Sequence, residues 1–213
     1  MVSSEQTGAE PAARPRGRPR SFDRAAALEK AVLAFWRHGY EATSVSDLTR
    51  IMGIGAPSLY AAFGDKRALF EEVVNVYGDT YGSFAGRALA EEPTARAAVE
   101  RLLREAAVEF TDPRHPYGSL VIHAATNCTT PEVEDALRRR RGAALAAVER
   151  RIAAGAAAGE LPQGADTGAL ARAVGAVFQG MSHQARDGAS REQLEAVAEI
   201  ALNIWPRTGT PTG

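Results

Sequence analysis

Four arginines, Arg14, Arg16, Arg18 and Arg20, alternate with Pro15, Gly17 and Pro19 near the start of the chain. An extended, narrow segment carrying guanidinium groups can enter the minor groove of A·T-rich DNA, where the negative potential is strongest. The alternative is a basic tail that only keeps the chain soluble. Elsewhere, residues able to do covalent or metal chemistry are sparse. Neither a nucleophile-elbow pattern, a P-loop nor a dinucleotide fingerprint is present, and no acid and base stand out as a pair, so an enzyme is a rival class without a site. His38, His115, His123 and His183 are scattered, with no helical spacing that suits metal ligation. Cys128 is the single cysteine, which excludes an internal disulfide and a cysteine-based zinc site. Following an apolar helical run, it reads as a buried thiol rather than a redox sensor. No cofactor is implied.

The charge distribution points the same way as the arm. Residues 14–67 hold ten Lys/Arg against five Asp/Glu, a net +5, whereas residues 68–213 hold fifteen against nineteen, a net −4. A basic front and an acidic back place contact with a polyanion at the front. Apolar residues make up 45% of the chain and charged ones 24%, ordinary values for a globular protein. No apolar run approaches the roughly 18 residues of a membrane span, and the first residues lack a signal-peptide core. The expectation is a cytoplasmic protein without membrane contact.

The elements that must position these groups are helices, since alanine, the best helix former, dominates and no strand-like alternation competes. Residues 1–20 lack periodicity and are expected to form a disordered arm. From Phe22 to His38 the residues Leu28, Val32, Phe35 and Trp36 recur at helical spacing, and Gly39 should stop the helix in a left-handed cap. Thr43 and Ser44 can cap a second helix, with Asp47 completing a capping box and Leu48, Ile51 and Met52 inward. A third helix fits Ala56 to Ala62, with Pro57 in its first turn and Gly64 at its end. Asp65 caps a fourth, whose stripe of Leu69, Phe70, Val73, Val74, Tyr77, Tyr81 and Phe84 should link two domains. Five more helices are expected at Thr94 to Phe110, Tyr117 to Cys128, Pro131 to Ala158, Asp166 to Arg186 and Arg191 to Trp205. The run Arg138 to Arg141 winds around one of them and reads as a solvated, salt-bridged face.

Three short helices in under 45 residues, the last two joined at Gly53-Ile54-Gly55, match the helix-turn-helix plan. A three-helix bundle without DNA function would show the same periodicity. The residues themselves are more specific. The stretch FWRHGYEATSVSDLTRIMGIGAPSLYAAFGDKRALF, from Phe35 to Phe70, closely resembles the DNA-binding region of TetR-family transcriptional regulators through Gly39, Thr43, Leu59-Tyr60, Phe63 and Asp65-Lys66. The resemblance is strong over about residues 21–75 and elsewhere covers only helix order and length. It implies an all-α chain with a disordered basic arm (1–20), a helix-turn-helix DNA-binding domain (21–67) and a larger helical ligand-binding and dimerisation domain (68–213). The implied function is a ligand-responsive repressor that binds a palindromic, double-stranded DNA operator as a homodimer and leaves it when a small-molecule effector binds. An activator of the same architecture is the alternative.

On this resemblance Thr43, Ser44, Tyr60 and Lys66 hold phosphates, while Leu59 and Phe63 belong to the core. The base-reading surface is nearly bare of donors. Val45, Ala56, Pro57, Ser58 and Ala61 can offer methyl contacts and one hydroxyl, so DNA shape must supply the remaining specificity. The Arg-Gly-Arg-Pro core of the arm resembles an AT-hook, so Arg16, Arg18 and Arg20 are expected at DNA too. The family's C-terminal domain dimerises through its last two helices and encloses a pocket. Here the candidates for the interface are Leu170, Val174, Val177, Met181, Leu194, Val197, Ile200 and Ile204. Candidates for the pocket are Tyr77, Tyr81, Phe110, His123, Asn127 and Phe178, polar or aromatic residues on otherwise apolar faces. An intramolecular core is the competing role for each of them.

Overall fold

The computed structural model describes residues 22–126 and 128–206, and every regular element among them is helical. Arg16, Arg18, Arg20 and Asn127 lie outside the described residues. The first four helices are α1 (Arg24–His38), α2 (Val45–Met52), α3 (Ala56–Phe63) and α4 (Lys66–Asp79). Three of them, α1, α2 and α4, begin where side-chain oxygens accept from otherwise unpaired N–H groups, while α3 starts after Gly55 with Pro57 in its first turn. Asp23 accepts from Ala26, Ser44 and Asp47 form the capping box, and Asp65 accepts from Ala68. Gly39 ends α1 with a positive φ of 80° but an extended ψ of 173°, so it turns the chain sharply instead of forming the expected left-handed cap.

The remaining helices are α5 (Ser83–Glu91), α6 (Ala95–Phe110), α7 (Leu120–His123), α8 (Pro131–Ala157), α9 (Thr167–Arg186) and α10 (Arg191–Ala201), followed by a 3-10 turn at Leu202–Ile204. Two expectations fail here. The apolar stripe from Leu69 to Phe84 is broken between α4 and α5, because the Thr80 hydroxyl donates to the Val76 carbonyl and the Gly82 N–H reaches back to Tyr77. The chain then turns at Gly82, where an added Cβ would come within 3.3 Å of the Gly78 backbone. The helix expected from Tyr117 to Cys128 is reduced to α7, because Gly118, at φ +74°, donates to the Phe110 carbonyl and holds residues 111–119 as a loop.

Two apolar clusters organise the chain. One joins α1–α4 to Leu120, Ala124, Val133 and Leu137, so the core beneath the helix-turn-helix continues past residue 67 to Tyr77 and into α7 and α8. The other packs α5, α6 and α10 with α9 and the second half of α8. Phe35 and Trp36, both buried, anchor the first cluster: Phe35 meets Phe70 edge-on at 5.1 Å and Trp36 meets Tyr77 edge-on at 4.8 Å. Burying side chains of this size stabilises by about 1.5 to 3 kcal/mol each. Among the described residues no helix is long and apolar enough to cross a membrane.

Candidate functional site

Helices α2 and α3 are joined by Gly53, which is in the left-handed region (φ 74°, ψ 31°), and by Ile54 and Gly55. The N–H groups of Gly53 and Ile54 both turn back to the Thr49 carbonyl. Within α3, Leu59 and Phe63 are buried, whereas Ala56, Pro57, Ser58, Tyr60 and Ala61 form an exposed row. Tyr60 is 50% exposed, a placement that suits a surface contact better than a core tyrosine. Ser44 and Ser46 are exposed beside this row and Val45 is half-buried.

The clamp on this helix was not legible in the sequence. Arg24 sends Nη1 and Nη2 to the two carboxylate oxygens of Glu72 at 2.6 and 2.7 Å, while Nε and Nη2 reach the Ala62 carbonyl at 3.4 and 3.2 Å. Its guanidinium also lies 4.4 Å from the centre of the Phe63 ring. One arginine therefore fixes the end of α3 against α1 and α4, using the fork geometry that distinguishes arginine from lysine. Only the later position of Glu72, 48 residues on, makes the pair, and no local pattern signals it.

Two of the expected phosphate contacts are placed differently. Thr43 is 2% exposed and its hydroxyl donates to the Gly39 carbonyl at 2.7 Å, so it holds the α1–α2 turn instead of offering its hydroxyl to DNA. Ser44 remains at the exposed start of α2, its hydroxyl accepting from the Asp47 N–H and donating to the Asp47 carboxylate. Lys66 is half-buried with Nζ 4.1 Å from the centre of the Tyr40 ring, and burial lowers its basicity. It must swing off that ring to meet a phosphate.

Beside the helix-turn-helix, Glu41 binds the segment that leads into α8. Its Oε1 accepts from the N–H groups of Thr129 and Thr130 and from the Thr130 hydroxyl, each at 2.9 Å. These bonds hold the carboxyl down at about 2 and pin the start of α8 to the α1–α2 loop. Cys128 is half-buried beside this latch, with Sγ 3.6 Å from Glu41. The indole of Trp36 stacks on His115 at 4.5 Å, and the His115 Nε2 lies 3.1 Å from a Glu109 oxygen but off the line of a hydrogen bond. Burial lowers the basicity of His115, yet Glu109, the Pro116 carbonyl and Asp112 outweigh it and raise the pKa above the ordinary value.

A cavity of about 360 Å³ opens between α4, α5, α6, α8 and α9. Of the expected pocket residues, Tyr77, Phe110 and Phe178 line it. Tyr81 does not: its hydroxyl donates to Glu29 on α1 and its ring packs edge-on against Trp36. His123 does not either. Its Nε2 sits 3.2 Å from the carbonyl and the hydroxyl of Ser182, and its ring faces His183 in a separate cleft beside Glu41 and Arg186. Both were expected at the pocket because a sequence gives helical face but not what packs above it. Ser119, Arg140, Arg141 and Gln179 line the cavity and were missed.

The expected dimer residues also divide. Leu170, Val174, Met181 and Leu194 are buried in the chain's own core, whereas Val177 and Val197 pack against it and stay half-buried in the single chain. Ile200 and Ile204, 70% and 49% exposed, remain on the outside of the last turns. On α9 the exposed residues are Ala169, Arg172, Ala176, Gln179, His183, Gln184 and Arg186, and a Cβ at Gly180 would meet nothing within 4 Å.

Comparison with known proteins sets this geometry among relatives. A family model described as bacterial regulatory proteins, tetR family, matches residues 27–73. The chain is 37% identical over 197 residues to the HTH-type transcriptional repressor ComR of Escherichia coli, covering 90% of this chain and 92% of that protein. It is 32% identical over 201 residues to the HTH-type transcriptional repressor BdcR of the same species, covering 94% and 95%. Among solved structures, a cysteine-substituted form of the TetR family transcriptional regulator CifR, complexed with 26-bp double-strand operator DNA, superposes with a TM-score of 0.85 at 43% identity. That match covers 89% of this chain and all of the other.

Proposed function

This chain belongs to the tetR family of bacterial regulatory proteins, DNA-binding regulators rather than enzymes, and from that premise we propose that it is a dimeric repressor released from its operator by a small molecule. The observation that carries the reading is the exposed row Ala56, Pro57, Ser58, Tyr60 and Ala61, on a helix held from behind by Leu59, Phe63 and the Arg24 clamp. A rigid, donor-poor helix of this kind enters the major groove and reads thymine methyls and groove shape, with Val45 and Ser44 beside it. Tyr60, and Lys66 once turned outward, hold phosphates. The arm residues Arg16, Arg18 and Arg20 add minor-groove contacts and an A·T preference in the flanks. The division of labour near residue 67 follows, with contacts to double-stranded, palindromic DNA before it and effector binding and pairing of two copies after it, in a cytoplasmic protein.

Release works through α4. Its first residue, Lys66, lies at the DNA face, and Val74, Tyr77 and Gly78 form part of the cavity wall. Its 14 residues span about 20 Å at 1.5 Å per residue. An occupant that tilts α4 changes the separation of two recognition helices in a dimer, which B-DNA requires to be roughly 34 to 36 Å or a multiple. Pairing of two copies uses the outer faces of α9 and α10, where Ile200, Ile204 and the small residues of α9 lie.

The test is a titration of labelled genomic fragments retained by the purified protein, at several salt concentrations. Tyr60→Ala should weaken binding to all fragments alike, whereas deletion of residues 1–20 should flatten the salt dependence by roughly one log–log unit per lost phosphate contact. Retention no better than that of random DNA overturns the reading.

A further inference from the structure

The run Arg138 to Arg141 is exposed over its first three residues and half-buried at Arg141, but it is salt-bridged only in part. Arg138 is paired within its own helix, with Glu134 and Asp135. Arg140 and Arg141 have no such neighbours: the positions three and four residues away are Ala136, Leu137, Arg138, Ala143, Ala144 and Leu145. A helix neutralises its cations at those spacings, so this sequence leaves two guanidiniums unneutralised. Among the described residues neither lies within 4 Å of a carboxylate, since the ion pairs there involve other arginines. Arg140 instead donates to the neutral amide oxygen of Asn75 on α4, and Arg141 reaches the Val121 carbonyl at 3.4 Å.

Both arginines line the cavity between α4 and α9. The rest of its wall is mainly carbon. Phe84, Phe110 and Phe178 form a cluster with ring centres 5.1 to 6.3 Å apart at one side, and Leu145, Val148 and Val174 continue the apolar wall. At Gly175 on α9 an added Cβ would come within 3.3 Å of Leu145, so the wall there is tight around a residue without a side chain. The volume of about 360 Å³ equals about twelve waters at roughly 30 Å³ each, space for a small organic molecule.

We infer that the effector is a small organic carboxylate, an anion with an aliphatic or aromatic body that fills the apolar cavity while Arg140 and Arg141 hold its charge. This rests on the ligand-released reading above and names the ligand class for it. Arginine suits the task because two parallel N–H donors match the two oxygens of a carboxylate, and a charge-assisted bond at a partly desolvated rim is stronger than a neutral one. The bond to Asn75 couples the site to α4. A carboxylate competes for the Arg140 donors and frees Asn75, so the ligand's charge acts on the helix whose first residue lies at the DNA face.

The full-length protein is titrated calorimetrically with octanoate and 2-naphthoate and with their neutral amides, octanamide and 2-naphthamide. At least one carboxylate should bind about tenfold or more tightly than its amide. Arg140→Gln with Arg141→Gln, which keeps polar stems at an exposed and a half-buried position of α8, should abolish that preference while leaving amide affinity unchanged. Ala147→Phe, which places a ring inside the cavity, should weaken both members of the pair. A smaller preference, a preference that survives the double substitution, or binding indifferent to Ala147→Phe overturns the assignment. DNA titration without any probe reports on the repressor reading separately. Amides that release DNA as well as the carboxylates do would leave that reading standing while the anion assignment falls.

Discussion

The indole N–H of Trp36 donates to the carbonyl of Gly118 at 3.2 Å, across 82 residues of sequence. Helix α1, part of the platform beneath the recognition helix, is thereby tied to the loop that leads from α6 into α7. The same glycine sits at φ +74°, and an added Cβ would lie 2.5 Å from His123 Nε2 and 2.6 Å from the Ser182 carbonyl. Three helices therefore meet around one residue without a side chain.

Replacement of Gly118 by alanine combines an unfavourable backbone conformation with a steric conflict, and should cost at least about 2 kcal/mol of unfolding free energy. Trp36→Phe keeps a ring but leaves the Gly118 carbonyl unpaired, for about 1 to 3 kcal/mol. Urea unfolding measures both. A change in either variant below about 0.5 kcal/mol would show that the junction is slack.

Arg24 touches α3 from behind, so its role is positional. Arg24→Ala should lower operator affinity while moving stability by no more than about 1 kcal/mol, since the pair with Glu72 is largely exposed. Arg24→Lys retains the charge but not the fork, and should recover only part of the DNA affinity. Full recovery by lysine in a binding titration would mean that charge alone matters there.

His123 gives the fold a pH dependence with a definite sign. Burial first, then the nearby Arg186 charge, opposed by the Ser182 carbonyl and Asp187, push its pKa down from the ordinary 6.5 to about 4. The unfolded chain binds the extra proton more readily, so this contribution is complete above about 6.5 and is lost as the pH falls towards about 4. His115 acts oppositely, its raised pKa adding stability that is lost as pH rises. The difference in unfolding free energy between the wild type and His123→Gln should therefore shrink on acidification through that window. A difference constant from pH 7 to pH 4 would contradict the placement of this ring.

Pairing of two copies is tested at the outermost apolar side chain of α10. Ile200 is 70% exposed in the single chain, so Ile200→Glu should give a folded monomer with unchanged helical content. Met181→Glu, by contrast, places a charge in the chain's own core and should unfold it, at a cost of several kcal/mol. Sedimentation together with circular dichroism separates the two outcomes. A dimer that tolerates Ile200→Glu at micromolar concentration would move the interface elsewhere.

The sequence by itself determined the helices whose caps and periodicity are local, together with the family. Ser44 with Asp47, Asp65, Thr94, Asp166, and Ser190 with Gln193 mark starts that appear in the structure, because a cap is a bond between residues two or three apart. The exposed row on α3 is what the family resemblance implied, with Leu59 and Phe63 on its opposite face. Tertiary structure decided whatever depends on neighbours distant in the chain. Met181 and Ile200 are both apolar residues on amphipathic helices, yet one is fully buried in the core cluster of α5, α6, α8, α9 and α10 while the other faces outward. Tyr77 and Tyr81 stand one helical turn apart in sequence. Only Tyr77 reaches the cavity, because the chain turns at Thr80 and Glu29 captures the hydroxyl of Tyr81. The Arg24 clamp, the Glu41 latch and the cavity face of Arg140 and Arg141 arise the same way, since a charged side chain takes its role from whichever partner the fold brings within a few ångströms.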